Sequence, residues 1–120
     1  MRRALAVLLA VAVLPLLAAP AQAAPDPSPP GANDWSCKPS AARPQPVVLL
    51  HGLGATMNAN WYALSPKLRA RGFCVFALTY GRDPRYANPA YEPGGLLPIE
   101  RSSLEVQAFV RRVLEATGAA

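Results

Sequence analysis

The residues of this chain best suited to chemistry are His51, Gly52, Leu53 and Gly54, which directly follow the apolar run Val47-Val48-Leu49-Leu50. A strand ending in His-Gly-x-Gly brings backbone N–H groups to the rim of a sheet, where ligands of open α/β folds bind. Donors of that kind suit a reaction that builds negative charge on an oxygen. In acyl transfer each one stabilises the tetrahedral oxyanion by about 3 kcal/mol. Glycines on both sides of Leu53 let the turn carry that residue's N–H close to a substrate. A dinucleotide-binding turn is the competing reading, because Gly52-Leu53-Gly54-Ala55-Thr56-Met57 begins as G-x-G-x-x-G. It fails at the third glycine, where Met57 stands. It fails again after the next apolar run, where Leu78-Thr79-Tyr80 offers no acid to hold a ribose.

Two cysteines, Cys37 and Cys74, and one histidine are too few for a structural zinc site, which wants four ligands. Their compartment then matters. Met1-Arg2-Arg3 is a short positive head, residues 4–19 are almost unbroken apolar, and Ala21-Gln22-Ala23 supplies a small-x-small cleavage pattern. Residues 1–23 therefore read as a signal peptide, too short and too proline-interrupted for a comfortable membrane span. In an exported chain a lone cysteine pair reads as a disulfide. Loss of the leader lowers the net charge from +5 to +3, since Arg2 and Arg3 leave with it. The remaining basic residues are interspersed with acidic ones along the chain, so no nucleic-acid footprint is expected.

The elements that must position the turn can be read from the same residues. Residues 24–32, rich in proline, are expected to be an extended and poorly ordered leader to a domain over 33–120. Val47 to Leu50 reads as a strand buried on both faces, of the kind found in parallel sheets. Trp61, Leu64 and Leu68 recur at helical spacing, with Ser65 as N-cap and Pro66 at the first helical position. Gly72 closes that helix, and Phe73-Cys74-Val75-Phe76-Ala77-Leu78 is a second strand. Residues 79–98 have no period and many punctuators. Over 99–117 the positions Val106, Phe109, Val110, Val113 and Leu114 form one helical face, with Gly118 as C-cap. Ser102 and Glu105 fit a capping box, or the helix begins a turn earlier. Strand, helix, strand, loop and helix make a βαβα order whose sheet is expected to be incomplete.

From Asn33 on, the chain resembles the N-terminal part of secreted bacterial lipases of the α/β-hydrolase superfamily, the class 2 lipases. The resemblance is carried by Asn33-Asp34-Trp35-Ser36-Cys37, Val47-Val48-Leu49-Leu50-His51-Gly52-Leu53-Gly54, Asn60-Trp61, Leu64-Ser65, residues 72–78 and the helix closing at Thr117-Gly118. It implies that Leu53 lends its backbone N–H to an oxyanion hole and that His51 is structural. It also implies that the Cys37–Cys74 bridge pins the N-terminal segment beside the second strand, and that residues 79–98 build part of an acyl pocket. The resemblance breaks at the nucleophile. Ser28, Ser36, Ser40, Ser65, Ser102 and Ser103 all lack the flanking glycines of G-x-S-x-G, and the triad acid and histidine come later still in that fold.

The resulting expectation is a secreted carboxylic-ester hydrolase, lipase or esterase, that uses a Ser-His-Asp triad in the complete protein. The triad is absent from these residues, so the chain alone is expected to be inert. Its substrate would be a lipid or a small ester. No metal or organic cofactor is required, and no integral membrane segment is expected after signal cleavage. The alternative is a truncated, non-catalytic secreted protein that binds acyl chains or the cell envelope.

Overall fold

A computed structural model describes residues 26–88 and 90–120; the signal peptide expected over 1–23 lies outside the described residues. Strand β1 (Val47–Leu50) leads through helices α1 (Met57–Trp61) and α2 (Leu64–Ala70) to strand β2 (Val75–Leu78). A 3-10 turn over Pro84–Tyr86 interrupts the next connection, and helix α3 (Ile99–Thr117) follows. The strands are parallel, with Val47 opposite Val75 and Leu50 opposite Leu78. Parallel neighbours need a crossover, and α1 with α2 supplies it.

Alternation along the strands decides which face each helix covers. Leu49, Val75 and Ala77 point to one side, where Met57, Trp61 and Leu68 pack on them. Cys74 and Phe76 point to the other, against Val113 and Phe109 of α3 and against Trp35. Of the helical face expected for α3, Phe109 and Val113 meet the sheet. This is a small α/β arrangement with one helical layer on each face of a two-stranded sheet.

Several expectations need correction. The crossover holds two helices rather than one, because Thr56 caps Met57–Trp61 by accepting a hydrogen bond from Ala59 N–H. Ser65 is not an N-cap. Ala63 already has helical angles, so Ser65 and Pro66 fall in the first turn of α2, where proline's missing N–H costs nothing. The Ser65 side chain is instead fully buried. Of the two starts open for α3 the earlier holds, at Ile99 after Pro98, so Ser102 and Glu105 form no capping box. Phe73 and Cys74 precede β2 rather than belonging to it. Nor is β1 buried on both faces throughout: Leu49 is buried, whereas Leu50 is exposed.

The proline-rich leader also differs from expectation. From Asp26 on it lies against the domain, with Pro29 buried and Ala32 bridged to Val75. Its end is held by Asn33, whose φ of 60° is left-handed, a conformation asparagine tolerates better than most residues. That angle turns its side-chain amide onto Ala77, donating to the carbonyl and accepting from the N–H, each at 2.9 Å. A side chain here does what a neighbouring strand would do, and it covers part of the edge of β2. Two residues further along, Trp35 packs on Phe76 and Phe109. Cys37 and Cys74 form the expected disulfide, with Cα atoms 5.7 Å apart.

Candidate functional site

The turn at the C-terminal end of β1 is built almost wholly from engaged main chain. Gly52 N–H donates to the Asn60 side-chain carbonyl at 2.8 Å, the first turn of α1 having brought that residue back over the turn. Gly54 N–H donates to Gly94 C=O at 2.9 Å and Ala55 N–H to Gly52 C=O at 3.3 Å. Leu53 N–H has no acceptor among the described residues, and its residue is 83 % exposed. Of the four consecutive amides from 52 to 55, only Leu53's is free to bind something else.

His51 sits beneath this turn, 2 % exposed, with both ring nitrogens occupied. Tyr80 N–H donates to Nε2 at 3.1 Å. Nε2 must then be the acceptor, so Nδ1 carries the proton and donates to Gly52 C=O at 2.8 Å. Tyr80 also stacks on the imidazole, with centroids 4.4 Å apart, and its hydroxyl donates to His51 C=O. A ring used up in this way orients the turn and is not placed to take a proton from a serine.

Residues 79–98, irregular as expected, return over the turn as a strap. Gly94 N–H donates to Ala55 C=O at 2.8 Å and Gly95 N–H to Tyr80 C=O at 2.7 Å. Tyr91 hydroxyl reaches Gly54 C=O at 2.7 Å. Such contact is possible only without a side chain at 94, since a Cβ there would lie 2.5 Å from Tyr80 O and 2.6 Å from the His51 ring. The start of the strap is tied to α3 by Glu105, which accepts from Gly81 N–H at 3.0 Å. It is tied to the N-terminal segment by Asp26, which accepts from the Thr79 hydroxyl and pairs with Arg82. Asp83 is buried beside Arg85, whose guanidinium and backbone N–H hold the carboxyl below its ordinary value. A cavity of about 220 Å³ opens within the strap, bounded by Arg82, Asp83, Pro84, Ala87, Glu92 and Pro93. Its walls do not include His51 or Leu53.

His51, Gly52, Leu53 and Gly54, the residues expected from sequence, stay together as one turn. Asn60, quoted only as part of the resemblance, and Tyr80, Tyr91, Gly94 and Glu105 have roles at the turn that the sequence does not assign. Only Gly94-Gly95 carried a usable signal, as a glycine pair in a loop long enough to fold back. The other four contribute through contacts that span 24 to 37 residues, or, for Asn60, through a short helix that local pattern does not reveal.

No protein-family model matches the chain, and a search of curated proteins returns no match. Neither comparison links it to secreted lipases. Among the described residues no group of three or more His, Cys, Asp and Glu side chains is placed to hold a metal ion, and no helix is long and apolar enough to cross a membrane.

Proposed function

We propose that the His51–Gly54 turn is the oxyanion-binding element of a secreted α/β-hydrolase that cleaves carboxylic esters, of lipase or esterase type. One observation carries the reading: the Leu53 N–H is unengaged in a turn whose neighbouring amides are all held. A donor fixed before reaction costs no reorganisation as charge develops, which is the physical basis of oxyanion stabilisation. In the complete protein a serine would attack the ester carbonyl and a histidine other than His51 would carry its proton. Leu53 N–H would then hold the oxygen that gains the charge. The disulfide supports an oxidising compartment.

The test begins with the coding sequence beyond Ala120. An in-frame strand leading into G-x-S-x-G is expected, and a stop codon there would sink the proposal. In the resulting polypeptide Leu53→Pro, which removes the N–H, should lower kcat for a p-nitrophenyl ester about 100- to 1,000-fold. Leu53→Ala, which keeps it, should change kcat little. Equal losses in both variants would mean that the side chain matters and the amide does not.

A further inference from the structure

Charges interspersed along the chain are sorted by the fold into two ends. At the N-terminal ends of the strands lie Lys38, Arg43, the C-terminal half of α2 (Lys67, Arg69) with Arg71, and the C-terminal half of α3 (Arg111, Arg112). Contacts fix this grouping: Lys38 donates to Ala116 C=O, Arg43 lies over Phe73, Arg69 pairs with Asp34, and Arg112 lies 3.9 Å from the Trp35 ring centroid. Seven basic groups meet two acidic ones there, Asp34 and Glu115, leaving +5. At the other end, around the turn, Arg82, Arg85 and Arg101 face Asp26, Asp83, Glu92, Glu100 and Glu105, leaving −2. Among the described residues only Arg69 of the seven basal cations pairs with a carboxylate.

We propose that this basal end docks on an anionic lipid surface, which turns the His51–Gly54 rim away from that surface. The cations stand on three separate elements, and Lys38, Lys67, Arg71, Arg111 and Arg112 are exposed. They do not converge on a cleft. An open depression at this end, about 290 Å³, is walled by Pro39, Ser40, Ala41, Pro44, Thr117, Gly118 and Ala119, none of them basic. A spread of exposed cations matches a plane of anionic headgroups, each basic residue near it strengthening adsorption about five-fold. Nucleic acid fits less well. The aromatic rings available for stacking at this end, Trp35 and Phe73, are already covered by Arg112 and Arg43. The acidic rim adds orientation, since an anionic surface repels it.

The experiment is co-sedimentation of the full chain with vesicles containing about 30 % phosphatidylglycerol, with purely zwitterionic vesicles subtracting any insertion of the leader. Binding above that background should appear at low salt and vanish at high salt, where charges are screened within a few ångströms. Arg71→Gln should weaken it about five-fold and Arg101→Gln, a charge-matched change at the opposite end, should leave it unchanged. Lys67→Gln, Arg71→Gln and Arg111→Gln together should weaken it about a hundred-fold. These are exposed positions, and a retained disulfide with unchanged circular dichroism checks folding. No binding above background, or equal losses for Arg71→Gln and Arg101→Gln, overturns the proposal. So does binding to duplex DNA at least as tight as to the vesicles at equal salt.

Discussion

The two ends of the sheet are held in different ways. The rim at the C-terminal ends of β1 and β2 is a main-chain construction: Gly52, Gly54, Ala55, Gly94 and Gly95 bond to one another, to the Tyr80 carbonyl or to the Asn60 side chain. The base at the N-terminal ends is a side-chain construction, with a disulfide, Trp35 wedged between Phe76 and Phe109, and guanidinium groups over rings. Main-chain contacts fix amide positions closely and, at Gly94, leave no room for added atoms. Side-chain contacts tolerate exchange at the surface and concentrate stability in a few groups. A free donor such as Leu53 N–H needs the first kind of support, and a surface that adsorbs by net charge needs only the second.

The comparison is broken most sharply at the base. Replacing Cys37 and Cys74 by serine releases a loop with a sequence separation of 37 and should cost about 4 kcal/mol in urea unfolding. A loss below about 1 kcal/mol would show that the aromatic cluster holds the base without the bridge. Glycine changes sharpen the contrast next. Gly94→Ala at the rim drives a methyl into Tyr80 O and the His51 ring and should cost about 3 kcal/mol. Gly72→Ala at the base meets nothing within 4 Å and bears only its left-handed φ of 86°, so about 1 kcal/mol is expected. Equal costs would mean the rim can open to admit a side chain.

Acid titration should give the smallest effect. Asp34 at the base is held below its ordinary 3.8 chiefly by the Ser36 hydroxyl and backbone N–H, with Arg69 adding to it. Asp83 at the rim is held below the same value by Arg85. A carboxyl depressed in the folded state adds stability above its unfolded value, and that stability is lost as pH falls through the folded one. Melting temperature should therefore be insensitive to these two groups from pH 7 to about 5 and fall below about 4. Asp83 is the less exposed of the two, side chain 4 % against 41 %, and so the less screened. Asp83→Asn should then flatten the acid fall more than Asp34→Asn.

Much of this molecule was legible in local pattern. Val47 to Leu50 and the run ending at Leu78 are short, apolar and preceded by proline or glycine, and both are strands, the second two residues shorter than its apolar run. The last helix has its expected limits, with Gly118 in the left-handed conformation at its end. Ser65 misleads as an N-cap, and the Ser102–Glu105 spacing leaves two helix starts open, because a cap depends on where the preceding backbone turns helical, which spacing alone does not fix.

By itself the sequence determined what local chemistry can determine: two strand-forming runs, a glycine-flanked turn after the first, a helical face on α3, and a single pair of cysteines. Only the tertiary structure decided which amide of that turn stays free. That outcome depends on Gly94 and Tyr80 arriving from distant parts of the chain and on α1 turning Asn60 back over Gly52. It also decided that charges interspersed along the chain separate into a basic base and an acidic rim. Helices α2 and α3 cover opposite faces of the sheet, yet contacts of Lys38 with Ala116 and of Arg69 with Asp34 put the C-terminal halves of both helices at the same end, a placement that chain order does not record.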